Sequence, residues 1–118
     1  MKEKAFENKL KKIIDDAGGW EVKFFANGFT KKGIPDILAC INGIFLGIEV
    51  KGGGGRPSEL QKYHLKQIQN AGGIGIIVYP ENLETFMVMI EELSSIGDTA
   101  IYKTVDKWNR TFHPWGLK

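Results

Sequence analysis

The stretch PDILACINGIFLGIEVK, residues 35–51, is the most informative part of this sequence for predicting the fold. It consists of two apolar runs joined by the dipeptide Asn42-Gly43. This dipeptide favours a two-residue type I′ turn, because both central residues of such a turn need a positive φ. The sequence therefore predicts a β-hairpin whose register is set by a turn at Asn42-Gly43.

The predicted register has a clear consequence for the two faces of the hairpin. Ile41 pairs with Ile44, and following the ladder outward brings Asp36 opposite Glu49. Since side chains alternate between faces, one face is entirely apolar: Ile37, Ala39, Ile41, Ile44, Leu46, Ile48 and Val50. The other face carries Asp36, Leu38, Cys40, Phe45, Gly47, Glu49 and Lys51. We expect the Cβ atoms of the two acidic residues to lie roughly 4.5–5.5 Å apart.

Two carboxylates at neighbouring positions repel each other and need a shared proton, a cation or a metal ion. Hard carboxylate oxygens are what Mg²⁺ accepts, with waters or phosphate oxygens completing its octahedron. Lys51 lies one step further along the same face, and the backbone carbonyl of Val50 is a further candidate ligand. The alternative is a solvated salt-bridge cluster. The apolar neighbours on this face favour a site, because buried charge without a role is costly.

The remaining chain predicts a mixed α/β sandwich with helices on both faces of the sheet. Residues 1–118 form a single domain without linker or repeat. Before the hairpin we predict a helix over residues 2–17 and a strand over 20–25. After the hairpin we predict a helix that begins with a capping box of Ser58 and Gln61 and ends at Gly72-Gly73. A strand over 74–79, a helix with Asn82 as candidate cap, and a strand over 100–105 follow.

Composition sets limits on function. The 118 residues carry a formal net charge of +2, with a pI of about 8.6. This permits contact with nucleic acid but does not argue for it. The only cysteine, Cys40, excludes an intrachain disulfide, and no Cys/His zinc spacing is present. No apolar run is long enough for a bilayer, and the N-terminus lacks the apolar core of a signal peptide. We expect a cytoplasmic protein.

Three segments resemble a known family: residues 33–37 (GIPDI), 48–52 (IEVKG) and 58–61 (SELQ). They resemble the VRR-NUC (virus-type replication-repair nuclease) branch of the PD-(D/E)XK nuclease superfamily, which includes small stand-alone phage proteins. In element order the resemblance covers residues 3–93. It implies a restriction-endonuclease-like αβββαβ core with a mixed sheet flanked by helices. It also implies a Mg²⁺- or Mn²⁺-dependent endonuclease, here in a bacterial or phage-infected cell.

The resemblance implies a role for each matching residue. Asp36 and Glu49 match the metal-binding carboxylates, and Lys51 the lysine that orients the attacking water or stabilises charge. Glu7 matches an additional acidic residue of the first helix, a metal ligand and catalytic residue. Gln61 matches a catalytic glutamine. A solvated helix glutamate and a purely structural cap remain equal alternatives for these last two residues. Stand-alone members are similar to Holliday junction resolvases, which implies a homodimer acting on branched DNA.

Further residues are candidates for DNA contact. Lys31, Lys32, Arg56 and Ser58 lie in or beside loops, where solvated side chains and a helix cap are the simpler interpretations. The glycine run 52–55 is either a flexible connector or a loop that closes on DNA. The aromatic tail of Trp108, Phe112 and Trp115 fits core or dimer contacts better than base stacking. His64 and His113 are expected to be packed or exposed rather than ligands.

The leading hypothesis is a structure-selective DNA endonuclease. A rival of another class is a nucleic-acid-binding module that keeps the fold without turnover. The complete set of Asp36, Glu49 and Lys51 speaks against that rival. A third hypothesis is a subunit of a larger replication, repair or restriction assembly, because the chain has no separate DNA-recognition domain.

Overall fold

The computed structural model describes residues 2–29, 31–97 and 101–112, and its centre is a four-stranded mixed sheet in the order β1-β2-β3-β4. The strands are β1 (Trp20–Lys23), β2 (Ile37–Ile41), β3 (Ile44–Val50) and β4 (Ile74–Val78). The first three pair antiparallel, and β4 joins β3 in parallel. A parallel pair needs a crossover connection, and a helix between β3 and β4 supplies it.

The β2–β3 hairpin has the predicted register. Asn42 and Gly43 have φ angles of +50° and +79°, which confirms the turn with two left-handed residues. Ile41 pairs with Ile44 next to the turn, and Ile37 pairs with Ile48 at the last recorded rung. All seven members of the predicted apolar face are buried. The hydrophobic face and the turn therefore specify the same register, as expected when one side of a hairpin is covered.

The described residues form four α-helices around the sheet: α1 (Glu3–Asp16), α2 (Glu59–Asn70), α3 (Leu83–Ser95) and α4 (Ile101–Thr111). A single turn of 3-10 helix, Pro80–Asn82, precedes α3. The helices α1, α3 and α4 share one core with the apolar hairpin face. Helix α2 packs against β3 and β4. This arrangement confirms the predicted α/β class and the αβββαβ order of the first six elements.

Two glycines allow α2 to lie close to the sheet. Gly47 of β3 and Gly75 of β4 are register partners. A Cβ atom at Gly47 would collide with the Ile68 side chain, and one at Gly75 with the backbone of Leu65. The absence of side chains at this pair lets the helix approach the strands, which sets where the first turn of α2 stands relative to the end of β3.

The predicted strand over residues 100–105 is wrong. Ile101 to Thr111 form α4, while Ala100 itself lies outside the described residues. The β-branched residues of this segment suggested a strand, but the apolar positions Ile101, Val105, Trp108 and Phe112 recur at helical spacing. Val105, Trp108 and Phe112 are buried in the core, which confirms the core interpretation of these two aromatics. Trp115 and His113 lie outside the described residues.

Two smaller expectations differ from the structure. Strand β1 ends at Lys23 rather than at residue 25. Helix α3 begins at Leu83, but the Asn82 side chain makes no cap hydrogen bond and instead accepts one from the Tyr79 backbone N–H at 2.9 Å. The preceding 3-10 turn brings that N–H into reach of the Asn82 side chain. No helix within the described ranges is long and apolar enough to cross a membrane.

An unanticipated contact covers the free edge of β4. The Asn109 side chain accepts a hydrogen bond from Gly75 N–H at 2.9 Å and donates one to the Gly73 carbonyl at 3.1 Å. Unpaired edge groups are a site for unwanted strand pairing. The amide of Asn109 imitates a neighbouring strand and so ties α4 to the sheet.

Candidate active site

The functional candidates meet at the open end of the β2–β3 hairpin, away from its turn. Asp36 immediately precedes β2, Glu49 is the penultimate residue of β3, and Lys51 directly follows that strand. Glu7 comes from the middle of α1, and Gln61 from the first turn of α2. The fold thus brings together the side chains of five separate positions along the chain.

The carboxylate of Asp36 is held against both neighbouring strands. Its Oδ2 accepts a hydrogen bond from the Val50 backbone N–H at 2.9 Å, and its Oδ1 lies 3.4 Å from Lys23 Nζ. The recorded pairing of β2 with β3 ends at Ile37, so Asp36 lies one residue outside the ladder. Its side chain is 24% exposed. The oxygens are therefore oriented by neighbouring groups yet remain reachable from solvent.

Glu49 is buried and incompletely paired. Its Oε2 accepts a hydrogen bond from Gln61 Nε2 at 3.0 Å and lies 3.3 Å from Lys51 Nζ. Its Oε1 is buried and has no hydrogen-bond partner within the described residues. Burial, together with the negative charge of Asp36, raises the pKa of Glu49 to about 8, although Lys51 acts in the opposite direction. A buried acid with a free oxygen beside a second acid favours binding of a proton or a cation.

These residues fit a divalent cation. Asp36 and Glu49 offer hard oxygen ligands, and the buried Oε1 of Glu49 has no hydrogen-bond partner among the described residues. No cluster of three or more Asp, Glu, His or Cys side chains suited to a metal occurs in the described part of the chain. A hard divalent ion such as Mg²⁺ is commonly held by one or two carboxylates, with waters and phosphates as the other ligands. An acidic pair of which Asp36 reaches solvent therefore suits a hard divalent ion with further, non-protein ligands better than a closed structural metal centre.

Gln61 is at once a helix cap and a partner of Glu49. Ser58 Oγ accepts from Gln61 N–H at 3.1 Å, and Gln61 Oε1 accepts from Ser58 N–H at 2.8 Å, which confirms the capping box. The cap uses the amide oxygen and leaves the NH₂ group to donate to Glu49. The structural and functional interpretations of Gln61 are therefore compatible, because each uses a different atom of the same amide.

Lys23 is a site residue that the sequence did not reveal. Its Nζ lies 2.9 Å from Glu7 Oε1 and 3.4 Å from Asp36 Oδ1. Burial lowers the pKa of Lys23, but the hydrogen bond to Glu7 and the charge of Asp36 outweigh this and raise it overall. Glu7 itself is buried, so it does not lie on a solvated helix face. Its partner in the structure is an ammonium group.

One signal for Lys23 is present in the alternation of β1. Trp20 and Val22 are 59% and 37% exposed, whereas Glu21 and Lys23 are only partly exposed. The burial of β1 is thus the reverse of what is expected: its apolar side chains are the more exposed ones. Its charged side chains turn towards the sheet face that α1 covers. A lysine on the covered face of a strand needs a carboxylate partner, and the buried Glu7 of α1 provides one.

The candidate DNA contacts are not bonded to the carboxylates in the described part of the chain. Lys31, Lys32 and Arg56 are exposed, and the Ser58 hydroxyl is used by the helix cap. These four side chains therefore do not belong to the bonded group around Asp36 and Glu49.

The glycine run that carries Arg56 is tied to the protein at both ends. Gly52 N–H donates to Glu3 Oε1 at 3.1 Å, and the Tyr79 hydroxyl donates to the Gly55 carbonyl at 2.8 Å. A further bond joins Gly55 N–H to the Gly52 carbonyl at 3.1 Å. The run is therefore a defined turn that leaves the end of β3 beside Lys51.

Comparisons with known proteins agree with this arrangement. A family model described as "Archaeal holliday junction resolvase (hjc)" matches residues 1–101. A solved structure described as "VRR_NUC domain" is similar with a TM-score of 0.60 and 22% identity, covering 75% of this chain and 94% of the other. No curated protein sequence matches significantly. The structural similarity confirms the restriction-endonuclease-like fold.

The family match extends over the whole αβββαβ core and over every site residue described above. The PD-(D/E)XK superfamily generally uses divalent metal ions, in agreement with the paired carboxylates at the hairpin end. The chain belongs to the Holliday junction resolvase family and is a nuclease.

Proposed function

We propose that this nuclease is a Mg²⁺- or Mn²⁺-dependent endonuclease that hydrolyses phosphodiester bonds in branched DNA such as Holliday junctions. One observation carries the proposal. Glu49 is buried beside Asp36, keeps an oxygen that has no partner within the described ranges, and is contacted by Lys51. A structural role alone gives no reason to keep a partly unsatisfied carboxylate in this position.

Asp36 and Glu49 would hold the ion, and the Val50 backbone carbonyl between the functional positions is a candidate third ligand. A divalent ion bound there lowers the pKa of a coordinated water and shields the phosphate from a negatively charged nucleophile. Asp36 is positioned for this by the Val50 N–H, and Glu49 by the amide of Gln61. Ligands whose other oxygens are already held lose less freedom on binding an ion.

Lys51 is the positive group of the site nearest to Glu49. Its Nζ lies 3.3 Å from Glu49 Oε2, and its side chain is 16% exposed. An ammonium held so close to the metal-binding carboxylate orients the attacking water or stabilises the negative charge that develops on the phosphate. We assign Lys51 this role because its side chain is anchored and yet reaches solvent.

DNA binding would use charges outside the inner site. Lys31, Lys32 and Arg56 are exposed and available to backbone phosphates, while Ser58 opens α2, whose first N–H groups favour an anion. Such contacts position the duplex without reading its sequence. This suits an enzyme selective for the shape of a junction.

We further propose that the active form is a homodimer. A four-way junction has two equivalent strands to cut, and a two-fold axis presents two equivalent active sites to them. The rival hypothesis of a binding module without turnover is disfavoured by the anchored Lys51 and Glu49, which a mere binding surface does not need. A subunit role in a larger assembly is tested by activity of the isolated chain.

The proposal is tested with a substrate panel. Purified protein is incubated with Mg²⁺ or Mn²⁺ and with linear duplex, flap, splayed-arm and four-way-junction DNA. We expect symmetric cuts in the junction and little cleavage of linear duplex, with no cleavage in EDTA. Glu49→Gln and Lys51→Met should be inactive yet bind the junction. Lys66→Met, which removes an exposed lysine of α2, is the matched control and should retain activity. Junction binding without metal-dependent cleavage would favour the rival hypothesis.

A further inference from the structure

We propose that the Lys23 ammonium occupies the Glu7 side of the active site, so that each chain binds one divalent ion. Glu7 is then a positioning residue rather than a metal ligand. The inference rests on the proposed metal-dependent function. It goes beyond it by setting the number of ions and by changing the role assigned to Glu7.

Lys23 already bridges two acidic groups of the site. Its ammonium lies 2.9 Å from Glu7 Oε1 and 3.4 Å from Asp36 Oδ1. The ammonium therefore stands between these two oxygens, where a cation shared by Glu7 and Asp36 would have to compete with it. The side chain of Glu7 is only 9% exposed, so it has little freedom to turn towards another partner.

Lys23 is fixed in place by its strand and by its side-chain contacts. Its backbone pairs with Ile37, the first residue of β2, directly beside Asp36. Its ammonium also lies 5.9 Å from the centre of the Phe25 ring, within the range of a cation–π contact. Lys23 is held by a strand, two carboxylates and an aromatic ring. It is therefore an ordered part of the site rather than a mobile surface charge.

The net charge of the cluster also favours a single ion. Glu7, Asp36 and Glu49 together carry one negative charge more than Lys23 and Lys51 balance when all five are ionised. One divalent ion reverses the sign of this cluster, and the phosphate of the substrate then offsets it. A second divalent ion beside Lys23 would face both the first ion and the ammonium in a half-buried region, where like charges repel strongly.

The two oxygens of Asp36 show how one ion is accommodated. Oδ1 faces Lys23, whereas Oδ2 faces the Val50 N–H on the side of β3. The unpartnered Oε1 of Glu49 also belongs to β3. The oxygens available to an ion therefore lie on the β3 side, and the β1 side is already neutralised by Lys23. Each carboxylate oxygen has two acceptor sites, so Asp36 can keep Lys23 and bind an ion together.

The test counts bound ions. Mn²⁺ is titrated into concentrated protein without DNA, and free Mn²⁺ is followed by electron paramagnetic resonance, with calorimetry as a second measure. We expect one ion per chain in the wild type and two in Lys23→Met, where the neutral side chain frees Glu7 and Asp36. Lys23→Arg restores the charge and should bind one. Lys4→Met, which removes a lysine lining the cleft beside Glu7, should also bind one.

The outcomes separate the two proposals. Two ions in the wild type, or one in a folded Lys23→Met, would overturn the inference and leave the metal-dependent function intact. No ion in the wild type would contradict the proposed function and the inference with it. Should Lys23→Met fail to fold, Glu7→Gln decides: it should keep one ion at concentrations where Asp36→Asn binds none. Loss of the ion in Glu7→Gln as well would show that Glu7 is a ligand.

Discussion

The two ends of the β2–β3 hairpin differ in how their polar groups are satisfied. At the turn, the Asn42 side-chain amide donates to the carbonyls of Leu93 and Ile96 at 3.1 and 2.8 Å, which fixes the hairpin to the end of α3. At the open end, a buried oxygen of Glu49 has no partner within the described residues. The polar side chain at the turn end is thus hydrogen-bonded by the protein, whereas the carboxylate at the open end keeps an oxygen that can bind a ligand.

This difference shows that stability and function are separated along the length of two strands. The turn end is determined by local backbone preference and by hydrogen bonds that can be made without a ligand. The open end collects like charges from separate elements, an arrangement that is unfavourable without a cation. Substitutions at the open end should therefore change cleavage more than stability, and substitutions at the turn end should change stability more than cleavage.

The largest effect is expected for Glu49→Gln. Cleavage should fall about 100-fold or more, the loss typical for removing one charged or polar group that stabilises a transition state. The metal-free variant should unfold at pH 8 at a temperature no lower than the wild type, because the charge removed is one that burial opposes. Cleavage rates and thermal unfolding in EDTA measure the two quantities. A strong loss of stability at pH 8 would mean that Glu49 is a structural residue.

The stability of the metal-free protein should fall as pH rises from 5 to 8. Burial and the charge of Asp36 raise the pKa of Glu49 from 4.5 to about 8. Between these values the native state binds a proton that the unfolded chain lacks, so the free energy of unfolding decreases with pH, by about 1.4 kcal/mol per unit for one proton. The decrease should end near pH 8.

Chemical denaturation in EDTA at several pH values measures this slope. Glu49→Gln should flatten it, since the titrating group is then absent, and saturating Mg²⁺ should oppose it because the ion replaces the proton. An unchanged slope in Glu49→Gln would assign the pH dependence to another group and remove one support for the paired-carboxylate site.

The turn end should respond in stability alone. Asn42→Ala loses two hydrogen bonds and puts alanine, which tolerates the left-handed region less well than asparagine, at a φ of +50°, which should destabilise the fold by about 2–3 kcal/mol. Asn42→Gly keeps the backbone preference and should cost less. Cleavage by the folded fraction should stay at the wild-type rate in both. A specific loss of activity in Asn42→Gly would show that the two ends are coupled.

The smallest effects separate the two roles of Gln61. Gln61→Glu retains the capping-box acceptor for Ser58 N–H but replaces the donor to Glu49 by a third carboxylate, so we expect reduced cleavage and, in the metal-free protein, lower stability where Glu49 is ionised. Ser58→Ala removes the cap and should cost about 1 kcal/mol with cleavage retained. Denaturant melts and junction cleavage compare the two variants. Equal loss of activity in both would reduce Gln61 to a helix cap.

The fold was largely predictable because its signals are local. The Asn42-Gly43 turn, the alternation in both hairpin strands and the capping box at Ser58 each use residues close in sequence, and each is confirmed. Helix α4 was missed because its β-branched residues suggested a strand. Its apolar residues lie on one helical face, and that face is stabilised only when it packs against the core. Burial of Trp108 and Phe112 decided between the two conformations.

The candidate site was predictable only in part. The acidic pair and Lys51 follow from the hairpin register, and Gln61 was identified by the resemblance and as a cap. The ion pairs of Lys23 join β1 to α1 and to the residue before β2. Such contacts depend on how a helix lies across a sheet, which residue spacing along one strand does not specify. The roles of Lys31, Lys32, Arg56 and Ser58 in DNA binding stay predictions.

Turn geometry and strand periodicity act over a few residues, so the amino-acid sequence was enough to predict the hairpin, its register and the position of two acids next to a lysine. The packing of the whole chain was needed to show that Lys23 bridges Glu7 and Asp36 and that Gln61 divides its amide between a helix cap and Glu49. It was also needed to show that one buried oxygen of Glu49 has no partner among the described residues. Charge pairing and burial depend on distances between elements remote in sequence, and the packing of α1 and α2 on the sheet sets those distances.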